Sequence, residues 1–244
     1  MPIAIRERLE YVEQIIKLSV WYARQQETNF GDAFTQKTPA YRLTAFWNGR
    51  LHPAEGHRDL DWDELLKKIE WLSETAAWES LKEFTLERAV KDAATYPFLY
   101  GASDVKVKDL YGPFWYTQQE QIIHLHFVNI YAPRSPFEDM ATLKGNLQAL
   151  VRSAVEKHPE AQAFEGVSWL GATRPMQMLF PREWIDNARE TGEVTYHQNW
   201  WGQFINQRGG FHWANGDLLR QTGKFPQVSM MCRCRIETLW SHLF

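Results

Sequence analysis

The stretch QIIHLHFVNIYAPRSPFEDM, residues 121–140, decides how the chain is read. Its first half is a run of β-branched, aromatic and aliphatic residues interrupted by His124 and His126. Its second half places Ser135, Pro136 and Glu138 as N-cap, first and third residues of a helix. The pattern therefore predicts a strand followed by a helix whose stripe Phe137, Met140, Leu143, Leu147, Leu150, Val151 and Ala154 runs until Pro159. AQAFEGVSWL, residues 161–170, reads as a second strand. Strand, helix and strand over 122–170 are joined most simply by a right-handed parallel crossover.

Upstream, VKVKDLYGPFWY at 105–116 is rich in strand formers, and TQQEQ has the length of a hairpin loop, so an antiparallel pair is expected. Downstream, VSMMCRCRIETL at 228–239 alternates: Val228, Met230, Cys232, Cys234 and Ile236 face one way, Ser229, Arg233, Arg235 and Glu237 the other. That is a half-buried strand near a sheet edge. Between them lie a short helix near Thr173–Phe180, a strand EVTYH at 193–197, a helix over 199–207 closed by Gly209 and Gly210, and a turn ANGD.

The first hundred residues read differently. Ile5, Leu9, Val12, Ile16, Val20 and Ala23 form a helical stripe. Residues 29–60 read as mostly loop with one short element around Tyr41–Trp47, and loops of that length often carry function. Asp61 and Glu64 form a capping-box pattern ahead of Trp62, Leu65, Leu66, Ile69 and Leu72, and a further helix runs from Thr85 to before Pro97. The expected fold class is α/β (α+β): a mixed β-sheet with a βαβ crossover, helices packed on it, and a helical N-terminal layer. A single domain of 1–244 is expected, with 1–100 helical and 101–244 holding the sheet.

With 44% apolar and 23% charged residues the chain is globular, and its net charge of −3 argues against a nucleic-acid partner. No apolar run has the length of a membrane span, the N-terminus lacks the pattern of a signal peptide, and two cysteines two residues apart fit a reducing compartment, so a cytoplasmic location is expected. The partner expected is a small-molecule substrate; the sequence names no cofactor and no oligomeric state.

His124 and His126 project to one face of their strand, with Ile122, Val128 and Ile130. A face so apolar is expected to be covered, with at least one imidazole largely buried. Either histidine can act as a general base, and the pair can share a metal if a third ligand such as His197 or His212 joins them. Beyond the strand, Asn129, Arg134 and the N–H groups at Ser135 are candidates for holding an anionic substrate group, and Ser168, Trp169 and Arg174 are expected beyond the next parallel strand. Trp200 and Trp201, among twelve tryptophans, complete the candidate substrate-binding set, or else present a surface for a partner.

The order hairpin, helix, parallel strand, short helix and terminal strand over 105–240 resembles the core of GNAT-type N-acyltransferases. The resemblance implies an acyl-CoA pyrophosphate at the helix after the central strand, here YAPRSPFEDM. The family's R/Q-x-x-G-x-G/A loop is absent: Arg134 is there, but Pro136 and Glu138 occupy the glycine positions. The reading is a small-molecule enzyme of the group-transfer, acyltransferase-like type, with a metal-dependent enzyme or a non-catalytic binding protein as the other classes.

Overall fold

The computed structural model describes residues 3–48, 50–95 and 110–244. These divide into two compact units. One takes the chain up to 95 together with Glu193–Pro226, the other 110–192 together with Gln227–Phe244.

Along the chain, α1 (Ile3–Arg24) comes first, followed by α2 (Phe30–Gln36), three 3-10 turns (Ala40–Leu43, Ala45–Trp47, Pro53–Glu55), α3 (Leu60–Ile69) and α4 (Glu74–Thr95). The α1 stripe behaves as its spacing predicts, with Val12, Ile16, Val20 and Ala23 buried. The loop expected over 29–60 is instead largely built of short helical pieces. The cap of α3 is Asp59, two residues before the expected Asp61, because the Asp59 carboxylate accepts from the N–H groups of Asp61 (3.1 Å) and Trp62 (3.2 Å). The Trp62 indole is buried and donates to Thr35 Oγ1 at 3.0 Å. α4 begins at Glu74 rather than near Thr85.

The sheet unit follows. β1 (Phe114–Gln119) and β2 (Ile122–Phe127) form the antiparallel hairpin, joined by Glu120 and Gln121. The expected strand segment 105–109 lies outside the described residues. α5 (Met140–Lys157) leads to β3 (Ala163–Ser168), which pairs parallel to β2, as the crossover reading required. Two short helices, α6 (Arg174–Gln177) and α7 (Arg182–Asp186), precede β4, only Arg189–Glu190.

The chain then returns to the helical unit. Residues 193–197 are not the expected strand; they lead into α8 (Gln198–Trp201), and α9 (Trp213–Thr222) occupies the place read as a turn. Finally β5 (Met230–Arg235) re-enters the sheet and α10 (Ile236–Leu243) closes the chain, so Ile236 and Glu237 belong to a helix rather than to the strand. The strand order is β1-β2-β3-β5-β4.

One face of this sheet carries the unit's core. Phe114, Ile123, Phe164, Cys232 and Cys234 pack against Leu143, Leu147, Leu150 and Val151 of α5, Trp184 of α7 and Leu239 of α10. The alternation read from CRCR holds: both thiols are buried and Arg233 and Arg235 are exposed. Among the described residues, no helix of either unit is long and apolar enough to cross a membrane.

Candidate functional site

The strand register builds the site. Thr117 of β1 lies opposite His124 of β2, His124 beside Glu165 of β3, and Glu165 opposite Arg233 of β5. A hydroxyl, an imidazole, a carboxylate and a guanidinium thus form one row across four strands, spaced by roughly 4.8 Å per strand. One step along, Trp115 lies opposite His126. Because side chains alternate, all of these project from the face opposite the α5 core. The helices of the unit's core pack on the other side of the sheet, yet both imidazoles are partly buried, the His124 side chain with 28% of its surface exposed.

Glu165 is the unusual member, a carboxylate in a sheet with only 8% of its surface exposed. Buried charge needs a partner, and His124 Nδ1 stands 3.5 Å from its Oε1. This contact is an ion-pair approach rather than a short hydrogen bond. It favours the proton on Nδ1 and leaves the Nε2 lone pair of His124 for other work.

His126 is in a different state. The Trp115 ring stacks on it, with centroids 3.9 Å apart and planes at 20°, and its Nε2 is 3.0 Å from Thr117 Oγ1. Desolvation first, and the neighbouring His124 second, pull it down to about 4. It is therefore neutral near pH 7, and its Nε2 is engaged with the threonine.

The residues beyond β2 serve the turn itself. The Asn129 amide donates to the Arg134 carbonyl at 3.1 Å, and its Oδ1 accepts from the Tyr131 N–H at 3.0 Å. Ser135 and Glu138 do form the capping box, but around a three-residue 3-10 turn, Pro136–Glu138. α5 starts only at Met140 under a second cap, Asp139, whose Oδ1 accepts from Thr142 N–H at 2.9 Å. Carboxylates of the chain itself, Glu138 and Asp139, thus accept N–H groups at both helix starts, where an anionic substrate group was expected. Arg134 is exposed and helps to keep the Asp139 carboxyl low, after the hydrogen bonds from Thr142.

Ser168 ends β3 and accepts from Leu170 N–H at 3.1 Å, Trp169 packs partly buried on the core side, and Arg174 is exposed at the start of α6. Trp200 and Trp201 are placed by the structure in the core of the helical unit, where Trp201 Nε1 donates to the Lys37 carbonyl at 2.8 Å. Packing, not a pocket, accounts for them. The site residues that sequence reasoning missed are Trp115, Thr117, Glu165 and Arg233. For Trp115 and Thr117 the signal was the two-residue hairpin turn, which fixes the β1–β2 register, whereas Glu165 and Arg233 join the row only through the β2–β3 and β3–β5 pairings.

Among the described residues, no three His, Cys, Asp or Glu side chains gather as a metal-binding group. The helical unit contains an open cleft of about 670 Å³ between α2, the 3-10 turn at Pro53 and α3, with Phe30, Trp62 and Leu66 among its lining. None of the residues nominated from the sequence lines it. The chain matches no protein-family model, no curated protein and no solved structure.

Proposed function

We propose that the chain is a small-molecule enzyme of the group-transfer type, working on the open face of its sheet with His124 as general base. The observation that carries this reading is the buried Glu165 carboxylate held beside His124 on a face left uncovered by the unit's own helices. A carboxylate that orients an imidazole through one nitrogen leaves the other to take a proton from an attacking hydroxyl or amine.

His126 suits a different part. An imidazole held at about 4 is a weak base at neutral pH, so it positions Thr117 and, with Trp115, offers a flat stacked surface to the substrate. Arg233 is exposed and makes no ion pair with a described residue. In this reading it takes the anion-holding role first given to Arg134. The acyl-transfer subclass is supported by the hairpin followed by a parallel crossover, an argument from fold alone.

The test uses an activated ester, p-nitrophenyl acetate, as acyl donor. The folded protein is expected to release nitrophenolate faster than the same protein in denaturant. His124→Ala should remove at least about nine-tenths of that excess, and Glu165→Gln most of it, with melting temperatures within a few degrees of the parent. An unchanged rate in His124→Ala would overturn the assignment.

A further inference from the structure

The helical unit holds a second cluster of ionisable side chains, gathered on one phenol ring. Tyr196 is fixed by its backbone N–H, which donates to the Gln36 carbonyl at the end of α2 at 3.0 Å. His52 stacks flat on the Tyr196 ring, with centroids 3.7 Å apart and planes at 4°, and the His197 ring lies at 4.0 Å. The Arg42 guanidinium carbon stands 5.1 Å from the Tyr196 centroid and 4.8 Å from that of Trp47. Three basic side chains therefore meet around one tyrosine, and two rings fix the guanidinium.

His52 is fully buried. Its Nδ1 accepts from the Ala54 N–H at 3.1 Å, so in the neutral ring the proton sits on Nε2. That Nε2–H is buried with no partner among the described residues, and so is Arg42 Nε. The carboxylate of the cluster, Glu55, accepts from the Tyr196 hydroxyl at 2.6 Å. Buried donors without acceptors are costly, and a bound group that supplies the acceptor would remove that cost.

We propose that Arg42, His52 and His197 form a binding site for a small oxyanion, a carboxylate or a phosphate group, whose oxygens accept from the guanidinium and from His52 Nε2–H. Charge-assisted hydrogen bonds to a planar guanidinium suit either group. Burial, then the charges of Arg42 and His197, pull His52 down to about 3, so it meets the ligand as a neutral donor at any physiological pH. Glu55 is the opposing charge, and its removal should favour the anion. The site lies wholly in the helical unit and does not depend on the reading of His124.

The test follows the histidine ring nitrogens of the full chain by NMR while inorganic phosphate, and separately acetate, is added. A saturable shift of His52 Nε2 and of His197 is expected with one or both; phosphate alone points to a phosphate group, acetate alone to a carboxylate. Arg42→Met should weaken binding about tenfold and Glu55→Gln should tighten it a few-fold. Because Arg42 is held between two rings and its loss can disturb folding, His197→Ala at an exposed position serves as the second variant and should weaken binding several-fold. Signals of His52 that stay in place with both anions, or that drift without saturation like surface groups, would overturn the site and leave His52 a core histidine.

Discussion

Replacing His52 with asparagine isolates the acid sensitivity of the helical unit. Asparagine is a favoured N-cap, and its Oδ1 stands near the position from which Nδ1 accepts the Ala54 N–H, so the turn at Pro53–Glu55 is kept. What is lost is a titrating group. His52 is pulled from 6.5 to about 3 in the folded protein, first by burial and then by Arg42 and His197. The unfolded chain therefore binds the proton first, so the folded state loses nothing above about pH 6.5 and loses stability as pH falls from there towards 3. The slope is about 1.4 kcal/mol per pH unit, and the full span amounts to about 3–5 kcal/mol. Against a typical total of roughly 5–15 kcal/mol, that decides acid unfolding. Urea unfolding followed by circular dichroism at the helical band, at about pH 7 and about pH 4.5, measures it. Between these pH values the parent should lose about 2.5 kcal/mol more than His52→Asn, while the contribution of His126, common to both proteins, cancels. If the two proteins lose stability in parallel, to within about 0.5 kcal/mol, His52 does not titrate as its burial requires.

Other outcomes follow from packing. Gly216 sits inside α9, where alanine would add about 1 kcal/mol of helix propensity, yet a Cβ there would stand 2.6 Å and 2.7 Å from the buried Phe211 ring. Overpacking at about 1–3 kcal/mol wins, so Gly216→Ala should lower the melting temperature, and a rise would show that the ring is not there. Cys232 and Cys234 are buried on the core face, with desolvation pushing their thiols up to about 11 and about 12. Dithionitrobenzoate should leave both untouched in the folded protein and titrate both in denaturant; a fast reaction of the native chain would place them at the surface.

The sequence carried the fold class because its long elements are strongly patterned. The α1 stripe, the α5 stripe and the CRCR alternation each repeat often enough for burial to dictate one geometry. Short elements have no such redundancy: FGDAFTQ of α2 spans only seven residues, and Gly216 made the centre of α9 look like a turn. Helix starts slipped where several capping side chains compete, as with Asp59 and Asp61 or Ser135 and Asp139, since each can cap and only tertiary packing chooses. The site was half legible. His124 and His126 stand out as polar residues in an apolar run, whereas Thr117 lay in a segment read as loop, and Glu165 becomes a neighbour of His124 only when two strands are aligned.

The excursion of Glu193–Pro226 into the helical unit has a consequence for biosynthesis. Neither unit is a contiguous stretch of chain. As the polypeptide emerges from the ribosome, α1–α4 wait for Trp200, Trp201 and Phe204 to complete their core, while β3 waits still longer for β5. Until residue 235 is out, the strand that carries Glu165 has an unpaired edge open to other nascent chains. No single cut or truncation releases either unit whole, and the sheet unit reaches its final packing only after residue 235 has emerged.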